Sequence, residues 1–168
     1  MLRKRGFTLI ELLVVIAIIG ILSAIILASL SGARPKGRDT KRIADLKELQ
    51  LALQLYYDAN SAGSYPTTAG NVGSVLSALT SADYISVLPI DPTAGHDYYY
   101  LPATCTGTSC AACSTSPCTD YILAAQLEND ASNLNGYQEA TPSFVINGAT
   151  NNCSQTGGPS NFIYCVRP

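Results

Sequence analysis

The sequence predicts an α+β fold in which a long N-terminal helix packs on a C-terminal four-stranded antiparallel β-sheet. Three observations favour this architecture. Residues 12–33 contain no charged side chain. Residues 39–58 carry apolar side chains at spacings of three and four, the period of an amphipathic helix. Beyond residue 97, short segments rich in Tyr, Ile, Val and Phe alternate with turn residues, which is typical of strands.

The first element is the uncharged run at residues 12–33. As a helix with a rise of about 1.5 Å per residue it covers roughly 33 Å, the thickness of a bilayer core. A cleaved secretory signal is the alternative, with small residues such as Ser29 and Ser31 at its cleavage site, but its apolar part is usually only about 7 to 15 residues long. We therefore predict a membrane-spanning helix with a cytoplasmic N-terminus and an exported C-terminal part.

Small residues recur along one stripe of this helix. Such a stripe allows a second helix to approach closely in apolar surroundings, although small residues are also common in membrane helices generally. The stripe consists of Ala17, Gly20, Ala24 and Ala28.

Glu11 places a carboxylate at the head of the uncharged run. A carboxylate in a bilayer costs a few kcal/mol on insertion scales, so it usually has a partner. No basic residue of the run stands at a helical spacing from it. We expect its partner to be interfacial water, a group from elsewhere, or a new amino group made by cutting the chain nearby.

Residues 5–11, RGFTLIE, resemble the signal of type IV pilins and type II secretion pseudopilins. The likeness consists of a six-residue basic leader, then glycine, phenylalanine and glutamate, then a long apolar helix. It implies that a prepilin peptidase cuts after Gly6 and methylates the new N-terminal residue, Phe7. It also implies that Glu11 pairs with the Phe7 amine of a neighbouring copy during assembly. An α-amino group is largely protonated at neutral pH, so this pairing would offset the penalty on Glu11.

The resemblance covers the chain from end to end and implies a pilin fold with three parts. Residues 1–6 form the leader, residues 7–33 a transmembrane and filament-core helix, and residues 34–168 an exported globular domain. Within that domain we expect an amphipathic helix at 39–58, a loop at 59–96 and the sheet at 97–168. Pro35 and Gly37 are expected to interrupt or bend the helix. The apolar stripe of the amphipathic part is Ile43, Leu46, Leu49, Leu53 and Tyr56.

Shorter elements are expected beyond residue 60. A short helix is predicted at residues 72–80. The strand candidates are residues 98–101, 120–127, 142–146 and 161–166, which together make the predicted sheet.

Two loop sequences make the resemblance more specific, to one class within this family. YPTT at residues 65–68 and LPIDP at residues 88–92 look like landmarks of the major pseudopilin, the G class. Members of that class bind calcium in a C-terminal acidic loop, and no such loop aligns with this sequence. A solvated loop is therefore the default and no cofactor is expected. The weak calcium candidates are Glu128, Asp130, Asn133 and Asn135.

All six cysteines follow residue 104, in a loop-rich context with many Thr, Ser, Gly and Asn residues that favours disulfides. Spacing alone does not determine their pairing, but Cys153 with Cys165 is favoured because these two stand apart from the rest. A zinc site using the C-x2-C unit at residues 110–113 is the alternative. The insert at 105–118 is expected to be a surface loop with an adhesive or stabilising role. The full set is Cys105, Cys110, Cys113, Cys118, Cys153 and Cys165.

Charge and motif content exclude several functions. From residue 49 onward eight acidic residues face one basic residue, a net charge of −7, so no nucleic-acid partner is expected. The basic cluster at residues 34–47 follows the membrane segment, where lipid headgroups are the simplest partner. His96 is the only histidine and no catalytic motif accompanies it, so we do not expect an enzyme.

These observations together predict a structural subunit of a type IV pilus or a type II secretion pseudopilus. Its expected partners are copies of itself, other pilins or pseudopilins, the prepilin peptidase, the inner-membrane assembly platform and the bilayer. We expect it in the inner membrane and then in a periplasmic or extracellular filament. The alternative is a membrane-anchored or secreted, disulfide-stabilised binding module that does not polymerise.

Overall fold

The computed structural model describes residues 7–106, 109–129, 144–146, 149–151, 153 and 162–168. Residues 1–6, including Gly6, therefore lie outside the described part of the chain. The chain divides into two compact units, Met1–Gly37 and Arg38–Pro168.

The first helix, α1, runs without a break over Leu9–Ala59. Pro35 and Gly37 do not interrupt the helix, because both residues are helical; the alternative, a bend at these residues, stays a prediction. A proline removes one helical hydrogen bond, and the residues on either side continue the helix around that single loss. In the first unit the described side chains of the small stripe, Ala17 and Ala24, are exposed. Apart from the adjacent helix backbone, no described atom lies within 4 Å of where a Cβ on Gly20 would stand.

In the second unit, α1 is amphipathic as predicted. Leu46, Leu49 and Leu53 are fully buried, and Ile43 and Tyr56 pack partly buried against the same core. Burying each leucine contributes roughly 1.5–3 kcal/mol to folding. The apolar stripe is therefore confirmed as the face that holds the helix to the rest of this unit.

The segment after α1 contains a minimal strand and two short helices. These are β1 (Gly70–Asn71), α2 (Val72–Val75) and α3 (Ser77–Ser81). The single helix predicted at 72–80 is wrong because Leu76 leaves helical geometry, with φ of −102° and ψ of 20°. The side chain of Leu76 is nevertheless fully buried in the core, so the break lets that side chain pack inward.

The α+β fold class is confirmed. The strands after β1 are β2 (Tyr99–Thr106), β3 (Ser109–Ala112), β4 (Asp120–Leu127), β5 (Phe144–Ile146), β6 (Ala149–Asn151) and β7 (Phe162–Val166). The main sheet is antiparallel with five strands in the order β1-β2-β4-β7, and β3 pairs with β2 beside β1. The predicted strand at 142–146 does not join it, because β5 and β6 form a separate two-stranded sheet. Residues 142, 143 and 161 lie outside the described part.

Strand β2 is longer than predicted because it continues through Pro102. The Pro102 carbonyl accepts a hydrogen bond of 2.9 Å from the Cys113 amide. The N–H and C=O of a strand residue point to the same side, so proline's missing donor lies on the β3 side of β2, at the end of the β2–β3 register that runs from Ala103 onward. At the end of a strand pairing the loss of one donor is tolerated.

Strand β4 is buried on both faces. Tyr121 and Leu123 belong to the core that includes α1, whereas Ile122 and Ala124 belong to a second cluster on the opposite face of the sheet. That second cluster also contains Cys110, Cys153 and Cys165.

Candidate functional site

The N-terminus of α1 holds Glu11 in a local hydrogen-bond arrangement. Thr8 directly precedes the helix, and its backbone N–H and its hydroxyl each donate to Glu11 Oε2 at 2.8 Å. The Glu11 amide donates back to Thr8 Oγ1 at 3.3 Å. This reciprocal pattern is a capping box, in which the residue before a helix and its third residue satisfy each other's amides.

The cap corrects one expectation about Glu11. Its carboxylate has donors within its own chain, so a partner from elsewhere is not needed to satisfy Oε2. The sequence carried the signal, because Thr8 and Glu11 have the T-x-x-E spacing in front of an apolar run. Among the described residues no donor contacts Oε1. One carboxylate oxygen of Glu11 is thus available, four residues after Phe7.

The side chains that follow Glu11 form a continuous exposed apolar surface. Every residue from 7 to 27 is exposed, and Phe7 reaches 84%. By length and composition α1 contains one stretch able to cross a membrane, and none of it is buried. A surface of this size is far beyond the apolar patches of soluble monomers, so it requires lipid or other helices as its surroundings.

A buried ion cluster centres on Arg42, whose side chain has no exposed surface. Its guanidinium donates to both carboxylate oxygens of Asp91 at 2.8 and 3.0 Å, to Asp39 at 2.8 Å and to Glu128 at 2.9 Å. Burial opposes its charge, but these hydrogen bonds outweigh the burial and raise the pKa of Arg42. The cluster ties α1 to the loop before β2 and to the end of β4.

Glu128 belongs to this ion cluster. Both of its oxygens accept hydrogen bonds from Arg38, and Arg42 adds one to Oε1. The Arg38 hydrogen bonds, followed by those from Arg42, lower the pKa of Glu128 to about 2. Because the guanidinium groups of Arg38 and Arg42 already bind both oxygens of Glu128, a role of Glu128 as a calcium ligand is disfavoured. The other candidates, Asp130, Asn133 and Asn135, lie outside the described residues.

The basic cluster at 34–47 is only partly available to lipid. Arg42 is enclosed by carboxylates and Arg38 is paired with Glu128. Arg34 and Lys47 are exposed. Lipid headgroups are therefore not the simplest partner of Arg38 and Arg42, because carboxylates of the same chain already bind both guanidinium groups.

The cysteines form three disulfides, Cys105–Cys110, Cys113–Cys118 and Cys153–Cys165. The last is the pair that the sequence favoured. Their sulfurs are consumed, which leaves no thiolate for the alternative zinc site. In the described residues no group of three or more His, Cys, Asp or Glu side chains is arranged to hold a metal ion.

The cysteine-rich insert lies largely at the surface as expected, with residues 114–117 exposed, but part of it is paired strand and it is tied into the fold at both ends. Cys105 and Cys110 are direct partners across the β2–β3 hairpin. At the other end, the Cys118 amide donates to Ser64 Oγ at 2.8 Å, and the Tyr65 amide donates to the Cys118 carbonyl at 2.9 Å. The insert thus joins the sheet to the turn that follows α1, which supports a stabilising role.

Comparisons with known proteins agree with the N-terminal geometry. The family described as "Prokaryotic N-terminal methylation motif" matches residues 1–27. Type II secretion system core protein G of Klebsiella pneumoniae is 38% identical over 110 residues, which cover 60% of this chain and 76% of that protein. The protein of the same name from Vibrio cholerae serotype O1 is 35% identical over 116 residues, covering 64% and 77%. No solved structure matches the chain.

Proposed function

The chain belongs to the family of type II secretion system core protein G, and from that premise we propose that it builds a type II secretion pseudopilus. In this proposal residues 7–33 anchor the subunit in the inner membrane, and a prepilin peptidase removes residues 1–6 and methylates Phe7. The assembly platform then adds the subunit to a filament held together by its N-terminal helices. The names of its relatives favour a secretion pseudopilus over a type IV pilus.

The observation that carries the proposal is the capped carboxylate at the head of an exposed apolar helix. Thr8 occupies Oε2 of Glu11, which lowers the penalty for holding the charge near the membrane surface in an unassembled subunit. Oε1 remains available to accept a hydrogen bond from the Phe7 ammonium of a neighbouring copy. An ion pair formed there, in low dielectric, is strong only at the correct register between helices.

The orientation proposed for the subunit follows from its disulfides and its leader. Disulfides form outside the cytoplasm, so the second unit, which carries all three, is exported. The short basic leader stays on the cytoplasmic side. Filament growth would then exchange lipid for neighbouring helices around the exposed residues 7–27 without exposing them to water.

Two substitutions at Glu11 separate the cap from the charge. Glutamine can still accept the Thr8 hydrogen bonds but carries no charge, whereas valine has neither a hydrogen-bond acceptor nor a charge. We expect both Glu11→Gln and Glu11→Val to be inserted and cut after Gly6, as seen by intact mass. Both should reduce filament yield about tenfold or more, corresponding to roughly 1.4 kcal/mol or more lost per added subunit. Filament yield is measured by immunoblotting of sheared cell-surface material.

Wild-type filament yield from Glu11→Gln would contradict the pairing role, because the cap alone would then suffice. A loss of membrane-inserted protein in that variant would show that the charge acts before assembly and would also count against the proposal.

A further inference from the structure

The three disulfides of the second unit differ in whether a thiolate from outside the chain can reach them. Thiol–disulfide exchange begins when a thiolate attacks one sulfur and the other sulfur leaves with the negative charge. Cys153 and Cys165 are each only 1% exposed, so their bond is shielded from such an attack. Each of the other two disulfides has one part-exposed cysteine, Cys105 or Cys113. In the folded chain, exchange with an external thiol is therefore restricted to these two bonds.

The surroundings of the leaving sulfur distinguish Cys105–Cys110 from the other accessible bond. Attack on the part-exposed Cys105 makes Cys110, which is 8% exposed, the leaving sulfur. Nη1 of the Arg167 guanidinium lies 4.0 Å from Cys110 Sγ. A positive charge at this distance stabilises a thiolate, and a more stable thiolate leaves faster. The chain thus holds a cation beside the sulfur that has to accept the charge.

The Cys113–Cys118 bond has the opposite surroundings. Attack on Cys113 makes Cys118 the leaving sulfur, and Cys118 is fully buried. Its Sγ lies 3.6 Å from the carbonyl oxygen of Thr115, which also lies 3.2 Å from Cys113 Sγ. A carbonyl oxygen carries partial negative charge, so it opposes a thiolate on either sulfur, and burial adds a further penalty. Exchange at this bond is therefore disfavoured although one of its cysteines is accessible.

Arg167 owes its place beside Cys110 to the sheet. It directly follows β7, and Nε2 of Gln50 on α1 donates to its carbonyl oxygen at 2.9 Å. In the sheet, β2 and β4 stand between β7 and the strand that carries Cys110. The two residues are 57 positions apart in the chain, so only the folded second unit brings the guanidinium to this disulfide.

We propose that Cys105–Cys110 is a thiol–disulfide exchange site that accepts electrons from a dithiol reductant. A thiolate of the reductant attacks Cys105 Sγ and forms a mixed disulfide, while the Cys105–Cys110 bond breaks and Cys110 leaves as a thiolate beside Arg167. The second thiol of the reductant then loses its proton and attacks the mixed disulfide. The reductant's own disulfide forms, and the Cys105 sulfur leaves and takes up a proton. Two electrons have then passed from the dithiol to the chain.

The exchange removes the covalent link of the β2–β3 hairpin and leaves the other two disulfides closed. The strand pairing between Ala103 and Ala112 and between Thr104 and Ala111 does not depend on that link. The exchange also requires no filament assembly, so it is measured on the separate chain.

Trapping with glutathione tests which bond and which sulfur are attacked. The full wild-type chain in detergent is treated briefly with glutathione, its free thiols are blocked with iodoacetamide, and its peptides are mapped by mass spectrometry. We expect the first product to carry glutathione on Cys105 and the iodoacetamide label on Cys110, with both other disulfides intact. Glutathione on Cys110, or earlier opening of either other disulfide, would overturn the proposal.

Substitutions at Arg167 test the role of the guanidinium. Arg167→Gln should slow the opening of Cys105–Cys110 by dithiothreitol about fivefold, because the leaving thiolate loses its stabilising charge. Arg167→Lys keeps a positive charge and should open within about twofold of the wild-type rate. Lys47→Gln removes one positive charge from an exposed position on α1 and is the matched control, with an unchanged rate.

Continued resistance of Cys153–Cys165 to the reductant shows that each variant is folded, because that bond is shielded by the second core cluster. Equal opening rates for folded Arg167→Gln and the wild type would overturn the proposal. An Arg167→Lys variant as slow as Arg167→Gln would also overturn it, because the positive charge would then not be the cause. The glutathione mapping uses the wild-type chain and so tests the site without relying on any variant.

Discussion

At the scale of single residues, Arg42 is the most constrained side chain in the second unit. It is fully buried and bonded to three carboxylates that lie 3, 49 and 86 positions away. Removing one partner of a buried ion pair typically costs about 3–5 kcal/mol, since it leaves an uncompensated charge. In the sequence Arg42 looks like one of six basic residues after the membrane segment. Partners at such separations carry no local signal, so its role could not be predicted.

The ion cluster gives the second unit a defined response to acid. Arg38, and then Arg42, hold the pKa of Glu128 at about 2, below its unfolded value of about 4.3. A lowered folded-state pKa adds stability above the unfolded value, and that stability is lost as the pH falls from about 4.3 towards 2. We expect the thermal midpoint of the full chain in detergent, followed by tyrosine near-ultraviolet circular dichroism, to fall over this range. Glu128→Gln should flatten the fall.

The control for this titration is Glu48→Gln, which changes an exposed carboxylate outside the cluster. It should leave the acid profile unchanged. Identical profiles for Glu128→Gln and the wild type would show that Glu128 is not held in its charged form by the arginines.

At the scale of elements, the local sequence pattern was sufficient to predict a helix or strand whose apolar residues recur with that element's own period. The stripe of α1 and the bounds of β4, Asp120–Leu127, follow directly from the sequence. The elements that were missed are short and depend on distant partners. β1 has only two residues and is a strand only because it pairs with Tyr99 and Tyr100 of β2. β3 is a strand because it pairs with β2 across a disulfide-bonded hairpin. The helix predicted at residues 72–80 is divided at Leu76, because tertiary packing outweighs the helical propensity of the segment.

The Cys153–Cys165 disulfide is expected to stabilise β7 measurably. Its cysteines are 12 positions apart and both are buried in the second core cluster. Closing a loop of this size contributes about 3 kcal/mol in the chain-entropy model. Cys153→Ala/Cys165→Ala should therefore lower the free energy of unfolding by about that amount in urea titrations of the full chain in detergent.

Cys113→Ala/Cys118→Ala provides the comparison, because it opens a loop of only 5 positions. Its predicted loss is smaller, about 2 kcal/mol. An unchanged unfolding free energy in the Cys153/Cys165 variant would mean that β7 is held by its strand pairing and packing alone.

At the scale of the whole molecule, the N-terminal sequence signal and the capped, exposed helix both support the proposed assembly. The signal around Phe7 and Glu11 could be recognised in the sequence because its residues lie close together in the chain. The T-x-x-E capping pattern of Thr8 and Glu11 was recognisable for the same reason, although the prediction for Glu11 did not include it. The exposure of Leu51 and Ile90 could not be predicted, because it is decided by the fold around them. The exposed apolar side chains of residues 7–27 are consistent with the proposed role as a filament subunit.

Electron microscopy of material sheared from cells that produce this chain with a type II secretion machinery tests that mechanism most directly. We predict filaments that bind antibody to the chain and whose subunits begin at Phe7, and none from a variant with Gly6→Leu, which should retain residues 1–6. Abundant wild-type protein cut after Gly6 but present only as separate molecules would contradict the account.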